Sequence, residues 1–171
     1  MLVKVISHNP QWQKEFDAES QQIESIIGQN LVFIHHIGST AIAEIYAKPI
    51  IDILVEVKKI DLVTEKTSAM IALGYEAMGE FGLIGRRYFR KENPSGIRTH
   101  HLHIYETNSP EIKRHLAFRD YMIAHPQAAE QYSLLKQELA KKYSNDIESY
   151  MDGKNNFIER IEKKALQWLE D

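Results

Sequence analysis

Lys48-Pro49-Ile50-Ile51-Asp52-Ile53-Leu54-Val55-Glu56-Val57 is the stretch on which the reading of this chain turns. A β-branched run this apolar predicts a central strand rather than a surface one. Its discordant residue is Asp52, because an ionised carboxylate there is costly unless it meets a cation, a metal or several donors. Asp52 is therefore a candidate functional acid; the alternative is an ion pair with Lys48 or with an arginine near the strand end. Side chains on a strand repeat every two residues, so Leu54 and Glu56 share the face of Asp52. Leu54 denies it a near carboxylate, and Glu56 lies roughly 13 Å along the strand.

Working outward toward the N-terminus, Ala41 to Ala47 reads as a short helix behind the turn Gly38-Ser39-Thr40, and Leu31 to Ile37 as an apolar strand before it. Gln11 to Ile27 has Trp12, Phe16, Ile23, Ile26 and Ile27 at roughly helical spacing, with Gly28 as the stop. On the other side, Asp61 is expected to cap a helix running to Leu73, closed by Gly74. Tyr75 to Met78, Arg86 to Lys91 and Thr99 to Tyr105 read as strands joined by glycine-rich turns. Beyond Ser109 every segment is helical. Pro110 opens one helix, Pro126 must open a second, and Ser144-Asn145-Asp146 leads into a third. The expected fold is α/β (α+β): a mixed β-sheet with flanking helices, then a C-terminal three-helix segment. We read one domain over 1–171, with the α/β core at 1–106 and the helical part, 107–171, packed on it.

The 171 residues carry 21 Lys plus Arg against 24 Asp plus Glu, a formal charge of −3, so no broad basic field invites long nucleic acids. There is no cysteine, which excludes disulfides, thiol nucleophiles and thiolate metal sites. No signal-like or membrane-spanning run stands out, and a cytoplasmic protein is expected.

Three further groups carry chemistry. In Arg98-Thr99-His100-His101-Leu102-His103, His101 and His103 point the same way on a strand, roughly 6 to 7 Å apart, and His100 the other. Beside Asp52 they would form a site for a divalent ion or a phosphate; half-buried structural histidines are the competing reading. Arg86-Arg87-Tyr88-Phe89-Arg90-Lys91 places four cations in six residues. It suits either a charged edge strand or a surface that holds a phosphate or stacks a base, and the pattern leaves both open. Finally, His115 and Arg119 on the first C-terminal helix, Lys136 on the second and Lys154 on the third border apolar stripes. Each alone is a snorkelling side chain; in succession they point to convergence on an anion. The glycines of Gly79 to Gly85 match neither a P-loop nor a dinucleotide fingerprint, and Ser39 lacks a nucleophile-elbow context.

Ile37-Gly38-Ser39, followed after twelve residues by Asp52-Ile53-Leu54-Val55, resembles the signature of the nucleotidyltransferase superfamily. The chain as a whole resembles the GrpB-like branch. The resemblance is carried by His36 to Ala41, Lys48 to Val55, Gly85 to Lys91, Arg98 to His103, His115 to Tyr121, Tyr132 to Leu139 and Gly153-Lys154. It implies a nucleotidyltransferase-like fold in which the Gly38-Ser39-Thr40 turn holds phosphates and strand acids hold Mg²⁺ for attack on an α-phosphate. Such domains also occur fused to dephospho-coenzyme A kinases. Leu54 stands where the superfamily has its second acid, and His101 and His103 occupy the strand expected to give a third, which favours Mn²⁺, Zn²⁺ or Fe²⁺ over Mg²⁺, or no metal.

The expected ligand is accordingly a nucleotide-like or other phosphorylated small molecule. Gly38, Ser39, Thr40, Lys48, Arg86, Arg87, His115, Arg119, Lys136 and Lys154 are the phosphate-binding candidates, and Asp52, His101 and His103 the catalytic or metal-binding ones. Nucleotidyl transfer, phospholigand sensing or partner binding without catalysis, and metal-dependent phosphoester hydrolysis are three readings of these residues.

Overall fold

The structure, a computed structural model, describes residues 2–171. Helix α1 (Gln11–Ile27) buries Trp12, Phe16, Ile23 and Ile27 and ends at Gly28, whose φ of 65° reverses the chain. Strands β1 (Leu31–Ile37), β2 (Ile51–Val57), β3 (Tyr75–Ala77), β4 (Arg87–Glu92) and β5 (Arg98–Glu106) form one sheet in the order β1-β2-β5-β4-β3. Only the β2–β5 pair is parallel; the others are antiparallel. As expected from its composition, β2 lies between two strands, with Ile51, Ile53, Leu54, Val55 and Val57 all buried.

The apolar 61–73 segment forms two short helices, α2 (Ile60–Thr64) and α3 (Thr67–Ala72), instead of one. Asp61 lies inside the first turn rather than capping it, because the extended residue ahead of the helix is Lys59. Three C-terminal helices follow: α4 (Pro110–Ala124), α5 (Pro126–Lys142) and α6 (Ile147–Glu170). The α6 start is capped by Asp146, whose carboxylate accepts from the Ser149 backbone N–H at 3.1 Å.

The expected helix over 41–47 is absent. Ser39–Ala41 makes a single 3₁₀ turn, after which Glu44 adopts φ 68° and the chain runs irregularly to a bridge between Ala47 and Ile6. A left-handed residue interrupts helical hydrogen bonding. The apolar residues that suggested a helix, Ile42 and Ile45, instead pack with Met122, Ala129, Tyr132, Phe157 and Ile161.

The chain divides into two compact units. One comprises Pro10–Ile37 and Ile50–Ile112, the sheet with α1 to α3; the other comprises residues up to Asn9, Gly38–Pro49 and Lys113–Asp171. In the sheet unit, helices α1 and α2 cover one face. Glu19 of α1 accepts from Lys91 Nζ at 2.6 Å and from the Tyr75 hydroxyl at 2.8 Å on that face. In the helical unit, Tyr132 of α5 stacks on Phe157 of α6 at 5.4 Å and takes Phe118 of α4 edge-on at 5.9 Å.

Candidate functional site

The candidate residues separate between the two units. In the sheet unit the strand register sets Asp52 opposite His101, Leu54 opposite His103, and Tyr88 of β4 on the other side of His103. Alternation therefore brings Asp52, His101, His103 and Tyr88 to one face. His101 Nδ1 lies 3.2 Å and His103 Nε2 3.6 Å from the same oxygen, Asp52 Oδ1. His101 Nε2, on the other side of the ring, lies 3.5 Å from Arg98 Nη1. Burial, the largest single influence on Asp52, acts to raise its pKa. The hydrogen bonds and charges of the two histidines together outweigh it and hold the carboxyl well below the usual range. His100 takes the opposite face, facing Glu19, as alternation requires.

Arg86 and Arg87 are not brought to Asp52 as a pair. Arg87 pairs in register with Ile104, on the other face, where it reaches Thr64 and Asp61 of α2. Arg86 is buried and closes the 79–85 loop: its Nε donates to the Glu80 carbonyl at 3.1 Å and its Nη2 to the Phe81 carbonyl at 2.7 Å. Its guanidinium lies 4.9 Å from the Tyr88 ring centre.

The donor set does not fit the oxygen-rich site of a Mg²⁺-dependent transferase. Leu54, fully buried, fills the second acid's place, and Asp52 Oδ1 is already faced by two imidazoles. Among the described residues, no group of three or more His, Asp or Glu side chains is arranged to hold a metal ion.

The helical unit holds the lysines. Lys136, mid-helix in α5, is 1% exposed, and its ammonium nitrogen is buried with no hydrogen-bond partner among the described residues. It sits 4.3 Å from the Tyr132 ring centre. Lys154 of α6 and Lys48 lie 5.2 Å and 5.5 Å from the ring centre of Tyr150, whose own buried hydroxyl is likewise without a hydrogen-bond partner. Burial first, then the like charges of Lys154 and Lys48, push the Lys136 pKa down to about 6.

The Gly38-Ser39-Thr40 turn belongs to this unit, with Gly38 at φ 73° and Thr40 buried. On α4, His115 is 3.3 Å from the Arg114 guanidinium and Arg119 pairs with Asp120 at 2.9 Å, so both are engaged within their own helix. A cavity of about 550 Å³ in the same unit has Ile42, Ile45, Met122 and Ala129 on its walls and none of the candidate lysines. Glu44 and Glu130 also line it, and two carboxylates do not suit an anion.

Residues 2–164 match the family model described as GrpB protein. The UPF0157 protein YqkA of Bacillus subtilis (strain 168) is 44% identical over 166 residues, covering 97% of this chain and 48% of that protein; the chain thus spans about half the length of that relative. The crystal structure of conserved protein GrpB from Enterococcus faecalis superposes with a TM-score of 0.94 at 44% identity, covering 98% of this chain and all of that one. Cid1 in complex with its short product ApU gives a TM-score of 0.55 at 15% identity over 80% of this chain and 43% of Cid1, a likeness of fold. The architecture is thereby nucleotidyltransferase-like. Among the described residues no helix is long and apolar enough to cross a membrane.

Proposed function

We propose, since the chain belongs to the GrpB family, that it binds a nucleotide or another phosphorylated small molecule through Lys48, Lys136 and Lys154, with the Gly38-Ser39-Thr40 turn as a further phosphate contact. The observation that carries this reading is the buried amine of Lys136, which has no hydrogen-bond partner among the described residues. An amine in that position costs several kcal/mol when charged, and the nearby lysines make it worse. Such a residue is a poor structural choice and a good ligand for an anion, which supplies the missing acceptors and counter-charge at once. Phosphate, with several acceptor oxygens and more than one negative charge, matches a cluster of ammonium groups. The fold's likeness to a protein whose structure holds ApU supports the nucleotide form of the reading.

Binding is favoured over transfer by Leu54. Without a second carboxylate beside Asp52, the residues present do not build the metal centre on which in-line nucleotidyl transfer depends. The Asp52–His101–His103 group is then an acid–base cluster, able to orient a ligand group or to exchange a proton with it.

Lys136→Met tests the reading, because it separates binding from folding. The variant is expected to be more stable than the wild type by about 1–3 kcal/mol, as it replaces a buried amine that lacks a hydrogen-bond partner by an apolar chain of similar length. It should also bind inorganic pyrophosphate about ten- to a hundredfold more weakly in calorimetric titration. Unchanged pyrophosphate affinity in this variant would remove the lysine cluster from the site.

A further inference from the structure

We infer that Lys136 is a nucleophile: its amine condenses with the carbonyl group of a phosphorylated aldehyde or ketone and holds that compound as an imine. This inference rests on the phosphate reading above and narrows the ligand to a carbonyl compound. Every residue it uses lies in the helical unit.

An amine attacks a carbonyl carbon with its lone pair, so a lysine does this chemistry where its surroundings remove the proton near neutral pH. Withdrawal from water does so, and so does the company of other cations. Lys136 has both. It is 1% exposed, and its nitrogen makes no hydrogen bond among the described residues. The Tyr132 ring lies 4.3 Å away, but the face of one phenol replaces a small part of the hydration an ammonium gives up. Burial foremost, then the charges of Lys154 and Lys48, bring the amine down to about 6 and leave its lone pair available.

The three lysines are graded in exposure. Lys48 is half-buried, Lys154 is 9% exposed, and Lys136 is the innermost. Lys48 and Lys154 also share one ring, that of Tyr150. A phosphate group is met by these two outer ammonium groups, and the carbonyl end of the same molecule is carried inward to the amine. For holding phosphate alone, a lysine that starts out charged would serve. The neutral one adds a lone pair, and a carbonyl group is what uses it. The Tyr150 hydroxyl, buried with no hydrogen-bond partner among the described residues, is a donor for the carbonyl oxygen as charge builds there. The step balances without a co-reactant: a bond forms from the nitrogen to the carbonyl carbon, the carbon–oxygen bond breaks, and the oxygen departs as water with both amine hydrogens.

Pyridoxal 5′-phosphate is the probe, with pyridoxal, which lacks the phosphate, as its control. Each is incubated with the full chain, reduced with borohydride and located by peptide mass spectrometry. Wild type is expected to carry the adduct at Lys136 ahead of every other lysine, about tenfold faster with the phosphate than without, and to be protected by inorganic pyrophosphate. Lys136→Met should lose that adduct while its melting curve shows a folded protein, and Lys154→Met should slow labelling of Lys136 about tenfold. Adducts on exposed lysines with Lys136 unmodified overturn the inference, while pyrophosphate binding that depends on Lys136 leaves the phosphate reading standing. Equal rates at Lys136 with both aldehydes and no protection by pyrophosphate overturn the phosphorylated ligand class, and the phosphate reading with it.

Discussion

A lysine whose amine is driven down to about 6 by burial is neutral through most of the physiological range, and that gives Lys136 a pH signature. Its folded value lies below the ordinary 10.5, so between those limits the unfolded chain holds a proton that the folded one lacks. Stability from this residue therefore rises as pH increases through that window, and Lys136→Met should flatten the corresponding part of a melting temperature–pH profile. Phosphate binding works in the opposite sense. An anion beside the amine favours the charged form, so binding at pH 8 should draw close to one proton from solution. Titration calorimetry in two buffers of different ionisation enthalpy measures that uptake, which should fall away in Lys136→Met. Sequence spacing singles out this residue and Lys154 as candidates, because each borders its own helix's apolar stripe. It could not show that Lys136 has no acceptor, since partners come from other elements.

Between elements, the approach of α5 to α6 depends on one missing side chain. A Cβ added at Gly153 would sit 2.5 Å from a methyl carbon of Leu139, well inside contact distance. Gly153 thus lets α6 settle against α5 one residue before Lys154, and gives a reason for a glycine in mid-helix, where it otherwise costs about 1 kcal/mol. Gly153→Val should destabilise the protein by roughly 1–3 kcal/mol through overpacking, read as a drop in chemical denaturation midpoint. It should also weaken pyrophosphate binding, because the helices carrying Lys136 and Lys154 are forced apart. Elements with one dominant signal, such as the continuous apolar run of β2 or the proline starts of α4 and α5, were readable from the sequence. Ala41 to Ala47 was not, because its apolar residues answer to a tertiary cluster and Glu44 turns left-handed within it. Arg87 illustrates the same limit in a strand. Alternation says which residues share its face; only the register with β5 says that this is the face away from Asp52.

For the molecule as a whole, the sequence supported the mixed sheet and the helical end but gave no sign of how the candidate residues would be shared out. The acid and histidines fall in one unit, the lysines and the glycine turn in the other. Mg²⁺ at millimolar concentration is expected to leave the melting temperature of wild type and Asp52→Asn equally unchanged, since neither unit supplies an oxygen-rich donor set; a rise confined to wild type would restore a metal at Asp52. The chain passes between the units after Asn9, Ile37, Pro49 and Ile112. The passage from Gly38 to Pro49 leaves from the end of β1 and returns at the start of β2, where Ile37 and Asp52 face each other in register. Pairing of β1 with β2 therefore closes that excursion into a ring, and part of the entropy of confining the segment is lost with that pairing. The excursion should accordingly bear insertions at its exposed Ala43 and Glu44 with little effect on the strands that anchor it.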